Sequence, residues 1–424
     1  MFTLPTTMSN CLIAVAASAV VATSAFADAH MEPLTGDLRI FLDTSNPAPR
    51  ATMETMIAQF QEMHPDLNIE TNVIDREAYK TQIRNFLTAN APDVANWYAG
   101  NRMLPFVEAG LFEDVSDLWD DEMSEALAST KPSMTIDGKQ WGVPYTYYQW
   151  GVYYRQDIFE NLGLEEPATW DEFLNVINVL NDNEIDPVTI GTKFLWTAGG
   201  WFDYLNLRQN GYEFHMELTN GEIAWTDQRV RDTFARWGEL LEADAFIDNH
   251  AAYSWQEALP FMVNGDAAMY LMGNFAVAPL REAGLSDDQL GFFQFPLITE
   301  GVPMAEDAPT DTFHIPAQAQ NKDNARAFLR FVTSADVQTE INSGANLGQL
   351  PVNAGSSVDD DKFLNEGFEL LSNASALAQF FDRDAPAEVA AAAMEGFQQF
   401  MVQPEELDNI LDRLERVRQR VNSN

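Results

Sequence analysis

Residues 139–173 read KQWGVPYTYYQWGVYYRQDIFENLGLEEPATWDEF, and this stretch is the most informative one for the fold of the chain. A Trp-Gly-Val-Pro-Tyr turn is followed by a cluster of tyrosines around Trp150. Thr169 and Glu172 then have the spacing of a capping box, in which the hydroxyl caps a backbone amide and the carboxylate bonds back to the threonine N–H. The stretch therefore predicts an aromatic extended segment that leads into a helix beginning next to Thr169.

The N-terminus has the features of a secretory signal peptide. An apolar run from Cys11 to Ala22 is followed by Ala25-Phe26-Ala27, a typical cleavage site, although no Lys or Arg precedes the run. We predict a signal peptide over residues 1–27 and a periplasmic mature protein. Cys11 is the only cysteine, so the predicted mature chain has no disulfide and no thiolate chemistry.

The chain is strongly acidic, with 65 Asp and Glu against 24 Lys and Arg and a formal net charge of −41. Such a field repels nucleic acid and anionic membrane surfaces, so neither is an expected partner. The acids are spread along the chain, which favours a solvated surface suited to salty surroundings. A cleft that binds a cationic solute remains the alternative.

The first third of the chain has the pattern of a βαβ unit. Residues 37–43 and 67–74 alternate apolar and polar side chains as strands do, and 48–64 has a helical apolar face that Pro65 ends. Such a unit is right-handed and implies a parallel sheet, and hence an α/β fold. The chain has no Gly/Ser linker, which suits two lobes between which it crosses several times.

Sequence patterns of common enzymes are missing. The chain contains no P-loop, no Gly-x-Gly-x-x-Gly, no Gly-x-Ser-x-Gly and no His-Glu-x-x-His, and its five histidines lie far apart. We therefore predict a protein that is not an enzyme, with no catalytic residue, no cofactor and no metal. Paired acids such as 120–122 and 359–361 keep a carbohydrate-active enzyme as an alternative, although adjacent acids in loops are usually solvated.

Aromatic side chains cluster with polar ones in four segments without regular periodicity: 96–102, 145–150, 196–204 and 273–275. A sugar presents apolar C–H faces and a rim of hydroxyls, so its site needs flat aromatic platforms beside Asn, Gln, Asp or Arg. These segments are therefore candidate walls of a sugar site.

Core packing is the alternative for every one of these aromatic residues. It is favoured for Tyr153, Tyr154 and Trp170, which occupy regular strand or helix positions. A cleft position is favoured for Trp97 and Trp201, which lie in Gly-rich breaks. Three further residues are undecided between the two: Tyr148, Trp150 and Trp196.

Several short motifs follow one another in a characteristic order. They are Pro92-Asp93-Val94 with Trp97, Gly142-Val-Pro-Tyr145, Tyr153-Tyr-Arg-Gln-Asp157, Trp170-Asp-Glu-Phe173, Asn264-Gly265-Asp266, Gly273-Asn274-Phe275 and Ala327-Phe-Leu-Arg-Phe331. In this order and spacing the chain resembles the family 1 extracellular solute-binding proteins and is similar to maltose- and multiple-sugar-binding proteins. The resemblance covers most of the predicted mature chain.

The resemblance implies an α/β, two-lobe periplasmic binding protein fold of the class II type, with hinge-linked lobes around a central ligand cleft. It places the first crossing at Gly142–Tyr145. The expected N-terminal lobe comprises 28–144 and 297–340, and the expected C-terminal lobe comprises 145–296 and 341–424.

The implied function is that of the substrate-binding component of an ABC importer. A monomer would capture a mono- or short oligosaccharide between closing lobes and deliver it to permease subunits in the inner membrane. A polyamine-binding protein is the alternative within the same class. Only a few carboxylates, such as Asp203 and Asp311, support a polyamine.

The aromatic clusters and the resemblance together predict the ligand-binding residues. They are Ser45, Asn46, Trp97, Tyr98, Asn101, Arg102, Tyr145, Tyr148, Trp150, Trp196, Trp201, Asp203, Asn274, Phe275, Asp311 and Asn346. By the resemblance, Trp97 corresponds to an aromatic platform of the first lobe, and Phe275 stands where a tryptophan often stacks. The smaller Phe275 ring argues against long maltodextrins.

Overall fold

The computed structural model of the protein describes residues 34–43, 47–342, 349–358 and 361–423. The predicted signal peptide and three predicted site residues, Ser45, Asn46 and Asn346, lie outside the described residues. Within those ranges, no helix has the length and apolar character needed to cross a bilayer.

Strands and helices alternate along most of the described chain. The strands are β1 (Gly36–Leu42), β2 (Leu67–Val73), β3 (Val94–Tyr98), β4 (Thr135–Ile136), β5 (Lys139–Gln140), β6 (Val143–Tyr147), β7 (Trp150–Arg155), β8 (Asp186–Val188), β9 (Ala267–Gly273), β10 (Leu290–Phe293), β11 (Glu306–Asp307), β12 (Thr310–His314) and β13 (Leu377–Ala378). The helices are α1 (Pro47–Met63), α2 (Arg76–Ala89), α3 (Leu104–Glu108), α4 (Asp121–Ala126), α5 (Gln156–Leu162), α6 (Trp170–Asp182), α7 (Trp196–Asn210), α8 (Tyr212–Thr219), α9 (Gln228–Glu242), α10 (Trp255–Asn264), α11 (Val277–Glu282), α12 (Lys322–Val332), α13 (Ala335–Ile341), α14 (Lys362–Asn373), α15 (Phe381–Asp384), α16 (Ala387–Val402) and α17 (Leu407–Val421).

The first lobe is built on a sheet with strand order β2-β1-β3-β12-β6. Strand β1 pairs in parallel with β2 and β3, while β12 runs antiparallel to β3 and β6. The predicted βαβ unit is confirmed, since Leu38, Ile40 and Leu42 of β1 are buried in the core of this lobe beneath α1 and α2. The carboxyl ends of the parallel strands β1 and β3 therefore share one edge of the sheet.

The second lobe is built on a sheet with strand order β10-β7-β9-β8 and has a separate hydrophobic core. Strand β7 runs antiparallel to both β9 and β10. Helix α6 begins with the predicted capping box, in which Thr169 and Glu172 each bond the other's backbone amide. Phe173, Val176 and Ile177 of α6 are buried, as its apolar face predicts.

The chain first passes between the lobes at residues 148–149. Strand β6 of the first sheet extends to Tyr147, which pairs with Thr310 of β12 and bonds to Leu350, and β7 of the second sheet begins at Trp150. The crossing expected at Gly142–Tyr145 is therefore corrected, because hydrogen bonds keep Tyr145 and its neighbours in the first sheet.

Hydrogen bonds also move the two later boundaries. The backbone N–H of Leu297 donates to Ala168 at 3.0 Å and that of Thr299 to Arg208 at 3.2 Å, so this segment stays with the second lobe until β12 begins. The N–H groups of Val352 and Asn353 donate to the side chain of Gln338 on α13 at 2.9 and 2.8 Å. Residues 352–353 therefore remain packed on the first lobe, beyond the expected boundary at 340.

Candidate ligand-binding site

A cavity of about 340 Å³ lies between the two lobes. It opens beyond the carboxyl end of β1, the edge at which open α/β sheets usually hold their ligands. Its lining among the described residues comprises Asp43, Asp75, Arg76, Glu77, Lys80, Tyr148, Trp150, Phe194, Trp196, Trp255, Gln256, Phe275, Pro309, Phe380, Asp382 and Arg383. The first lobe thus contributes mainly charged side chains and the second lobe mainly aromatic ones.

The aromatic wall is centred on Trp150, the first residue of β7. Its ring centroid lies 5.9 Å from that of Trp196, 6.0 Å from that of Phe275 and 4.7 Å from that of Phe380, and the first two contacts are edge-on. Phe275 also meets Trp255 edge-on, at 5.3 Å. These contacts fix the rings at steep angles to one another, so they enclose the cavity as separate flat surfaces.

A strained turn places two of the aromatic residues at the cavity. Leu195 has a φ of +69° and a ψ of −41°, and the N–H of Trp196 donates to the carbonyl oxygen of Phe194 at 2.8 Å. This hydrogen bond and these angles are those of a classic γ-turn, which is rare because an L side chain is disfavoured there. The turn directs Phe194 and Trp196 to the cavity on either side of Leu195.

A network of charged and phenolic groups forms the opposite wall. Arg76 lies between two carboxylates, with nitrogen–oxygen distances of 3.4 Å to Asp43 and 3.1 Å to Asp311. Tyr98 donates its hydroxyl hydrogen to Asp43 at 3.0 Å. Oδ1 of Asp43 is buried and has no hydrogen-bond partner among the described residues. This oxygen is thus a strong acceptor whose hydrogen bond is not made within the described chain.

The two carboxylates of this network have pKa values shifted in opposite directions. Burial raises the pKa of Asp43, and the charge of Asp311 adds to this effect while Arg76 opposes it. Burial also acts to raise the pKa of Asp311, but the guanidinium groups of Arg383 and Arg76 outweigh it and hold that pKa below its usual value. Asp311 is therefore the firmly ionised member, and Asp43 is the one closer to taking up a proton.

Four of the predicted site residues line the cavity: Tyr148, Trp150, Trp196 and Phe275. Tyr98 lies directly behind the lining, where its ring packs under the guanidinium of Arg383 at 4.3 Å. The structure thus brings together residues from β3, β7, α7 and the turn after β9, which are far apart in sequence.

Trp201 and Asp203 are not at the cavity, which corrects the prediction for both. Trp201 is 1% exposed and packs against Phe246 and Phe295 in the second-lobe core. Asp203 is fully buried and accepts a hydrogen bond from the N–H of Phe381. The Gly-rich break inferred around residues 199–200 is in fact the interior of α7.

Trp97 and Tyr145 are also core residues of the first lobe. The indole N–H of Trp97 donates to the carbonyl oxygen of Arg102 at 3.1 Å, and its ring reaches only a neighbouring cavity of about 500 Å³. Tyr145 stacks on Phe313 at 4.5 Å and accepts a hydrogen bond from Asn96. Both are positioned by β3 and β6, whose side chains in this part of the sheet are all buried.

Asn101, Arg102 and Asn274 do not line the cavity. The side chain of Asn101 donates to the carbonyl oxygen of Asp384 and to Asn220, and Arg102 donates to the carbonyl oxygen of Asp382. These bonds join the first lobe to α15. Asn274 is fully buried and does not line the cavity.

Asp311, predicted as a ligand-binding residue, lies in β12. It is fully buried, and its carboxylate accepts hydrogen bonds from Arg76, Arg383 and Tyr148. Its side chain is absent from the cavity lining. We predicted that Asp311 contacts the ligand directly. In the structure it instead contacts residues that line the cavity.

Sequence reasoning missed Asp43, Arg76, Phe194, Phe380 and Arg383. Residues 380–383 read Phe-Phe-Asp-Arg and form a fifth segment in which aromatic and charged side chains cluster. The search for such clusters, which found the other four segments, would have found this one. Asp43 directly follows β1, and Arg76 begins α2 shortly after the end of β2. Polar residues at the carboxyl ends of parallel strands are typical of ligand sites.

Comparisons with known proteins agree with this geometry. Residues 44–339 match the model of the bacterial extracellular solute-binding protein family. An uncharacterised ABC transporter extracellular-binding protein of Pyrococcus horikoshii is 25% identical over 69% of this chain and 67% of its own length. The multiple sugar-binding protein of Streptococcus mutans is 23% identical over 67% of this chain and 68% of its own length.

The solved structure of the bacterial solute receptor AcbH, described as exclusively preferring β-D-galactopyranose, superposes with a TM-score of 0.84 and 27% identity. The match covers 91% of this chain and 99% of the receptor. Two lobes around a lined cleft define a solute-binding protein. The chain belongs to the bacterial extracellular solute-binding proteins, within the class that serves sugar ABC transporters.

Proposed function

We propose that this protein captures a mono- or short oligosaccharide in the cavity between its lobes and presents it to an ABC permease. The observation that carries the proposal is the pairing of flat aromatic rings on one wall with the charged side chains of Asp43, Arg76 and Arg383 on the other. A pyranose ring offers an apolar face to the first and hydroxyl donors to the second.

Each wall has a distinct part in holding the sugar. Trp196 and Phe275 stack on C–H faces, and Asp43 accepts a hydroxyl hydrogen. Arg76 and Arg383, which both line the cavity, donate to hydroxyl oxygens.

The cavity has room for a small sugar. Its 340 Å³ lies near the lower end of the roughly 300–1,000 Å³ that ligand pockets usually span, and a neighbouring cavity of about 500 Å³ with which it shares lining residues such as Trp196 and Asp382 leaves space for a further sugar unit. The preference stated for AcbH, a structural neighbour of 27% identity, is for a single pyranose. We therefore place galactose-like monosaccharides first and short oligosaccharides second.

A polyamine fits the cavity less well. Asp43, Asp75, Glu77 and Asp382 line it, but so do Arg76, Lys80 and Arg383. A polycation would have to approach three like charges within a small volume, which opposes binding. The large excess of acidic over basic residues in the whole chain is therefore not found among the residues that line the cleft.

The proposal includes secretion, a monomeric state and release of the sugar unaltered. The predicted signal peptide delivers the chain to the periplasm, where the two lobes of the chain form the cavity between them. Closure of the lobes over the sugar would create the state that the permease recognises.

A thermal-shift screen tests the proposal. The panel contains galactose, glucose, raffinose, chitobiose and spermidine, with isothermal titration calorimetry on each positive compound. At a hundred times its dissociation constant, a bound sugar should stabilise the fold by about 2.7 kcal/mol. Stabilisation by spermidine alone, or by none of the sugars, would contradict the proposal.

A further inference from the structure

Asp311 accepts hydrogen bonds from side chains of both lobes. Arg76 on α2 of the first lobe lies 3.1 Å from its Oδ2, and Arg383 on α15 lies 2.9 Å from its Oδ1. Helix α15 is anchored in the second lobe, since Phe381 is part of that lobe's core. Tyr148, in the first crossing between the lobes, donates to Oδ2 at 2.9 Å. One carboxylate therefore ties both lobes and one connecting segment together.

The carboxylate of Asp311 has little capacity left for a ligand. It is fully buried, and both oxygens already accept charge-assisted hydrogen bonds. The neighbouring carboxylate of Asp43 differs in this respect, because its Oδ1 is unpartnered among the described residues and it lines the cavity. Arg76 connects the two, with distances of 3.4 Å to Asp43 and 3.1 Å to Asp311.

We propose that Asp311 is the positioning residue that couples occupation of Asp43 to closure of the lobes; this inference rests on the proposed function. A sugar hydroxyl that donates to Asp43 favours its ionised form, and the charge holds Arg76 between the two carboxylates. Arg76 then fixes the orientation of Asp311, whose other oxygen holds Arg383 of the second lobe. Breaking such a buried pair is costly because it leaves a charge unpaired, so the network favours one lobe arrangement.

The first test compares Asp311→Asn with Asp93→Asn. Both aspartates are buried in the first lobe and accept several hydrogen bonds, but Asp93 bonds Arg39, Gln320 and Asn321 at the other end of β3. With galactose and raffinose as probes, Asp311→Asn should weaken binding about tenfold, the scale of one charged hydrogen bond. Asp93→Asn should leave the dissociation constant unchanged.

The lobe arrangement is measured with spin labels. Residues 28–424 contain no cysteine, so Thr88→Cys and Glu160→Cys place one label on an exposed site of each lobe. Without sugar, Asp311→Asn should give a broader distribution of inter-label distances than the parent. With saturating sugar it should retain an open population that the parent loses. Identical distributions in the two proteins would overturn the inference.

A pH profile separates positioning from simple structural support. The charged and titratable groups that face Asp43 are Arg76, Tyr79, Lys80, Tyr98, Tyr145, Asp311 and, across Tyr98, Arg383. The negative charge of Asp311 raises the pKa of Asp43, and Asp311 also competes for Arg76. In Asp311→Asn both effects vanish, so the loss of sugar binding on acidification should move to lower pH. A profile that falls at the same pH as the parent would overturn the coupling.

Tyr148→Phe keeps the inference testable if Asp311→Asn does not fold. It removes one donor to Asp311 and should produce the same open population in smaller proportion. A Tyr148→Phe protein that closes fully with parental affinity would count against the inference. If the parent protein itself binds neither galactose nor raffinose, the proposed function fails. The distance distributions of the sugar-free parent and of sugar-free Asp311→Asn still decide whether Asp311 joins the lobes.

Discussion

Asp384 holds its proton unusually tightly for a carboxyl group. Burial raises its pKa to about 6, although the N–H of Asn101 donates to it and opposes the rise. The folded protein therefore binds this proton more tightly than the unfolded chain does. The resulting stability is fully present below about pH 4 and is lost as the pH rises through 6.

We predict that Asp384→Asn removes this loss, because an amide stays neutral and its oxygen can still accept from Asn101. At pH 7.5 the variant should be more stable than the parent by up to about 3 kcal/mol, and at pH 5 the difference should shrink. Urea unfolding at the two pH values measures both differences. Glu62→Gln, at an exposed site, serves as control, and an equal gain at both pH values would contradict the assignment.

Single residues show how far sequence reasoning reached. Trp150, Trp196 and Phe275 were predicted from their irregular surroundings, and the structure brings them to one cavity. The prediction for Trp201 was wrong because it interpreted Gly199-Gly200 as a break. A side-chain carbon on Gly199 would lie 2.8 Å from Met394, and one on Gly200 would lie 3.1 Å from Phe380. These glycines permit close packing around α7, which depends on contacts remote in sequence.

At the scale of elements, the γ-turn at Phe194–Trp196 predicts an unusual order of stability for two variants of Leu195. Leu195 has a positive φ, which glycine adopts freely and β-branched residues strongly avoid. Leu195→Val should therefore be less stable than Leu195→Gly, by roughly 1 kcal/mol, although valine retains more apolar surface. Urea unfolding of both variants measures the difference. The ordinary order, with the glycine variant less stable, would show that the turn relaxes at little cost.

Regular elements were predicted better than the connections between lobes. The βαβ unit and the capping box of α6 depend on residues close in sequence, and both are confirmed. The first crossing was placed too early because Gly142 and Pro144 suggest a turn. Strand β6 nevertheless continues to Tyr147, since its partners on β12 lie about 165 residues later. Patterns among residues close in sequence give no information about a pairing with a strand so far along the chain.

At the scale of the molecule, the net charge of −41 predicts a stability that depends on salt. Repulsion among surface carboxylates destabilises the compact state, and ions screen it. The Debye length falls from about 30 Å at 0.01 M to about 10 Å at 0.1 M and about 3 Å at 1 M. Thermal unfolding in KCl should therefore shift upward mostly below about 0.5 M. A flat or linear response up to 2 M would indicate that charge repulsion is not the cause.

The central claim is that a sugar is held between the lobes against the aromatic wall, and calorimetric titration of Trp196→Ala with galactose and raffinose tests it most directly. Trp141→Ala is the matched control, because Trp141 bonds Ile136 within the first lobe and does not line the cavity. We predict that the parent and Trp141→Ala bind at least one of the two sugars equally well. Trp196→Ala should bind that sugar at least about tenfold more weakly, a loss of about 1.4 kcal/mol. Equal affinity in all three proteins, or no sugar binding by the parent, would contradict the account.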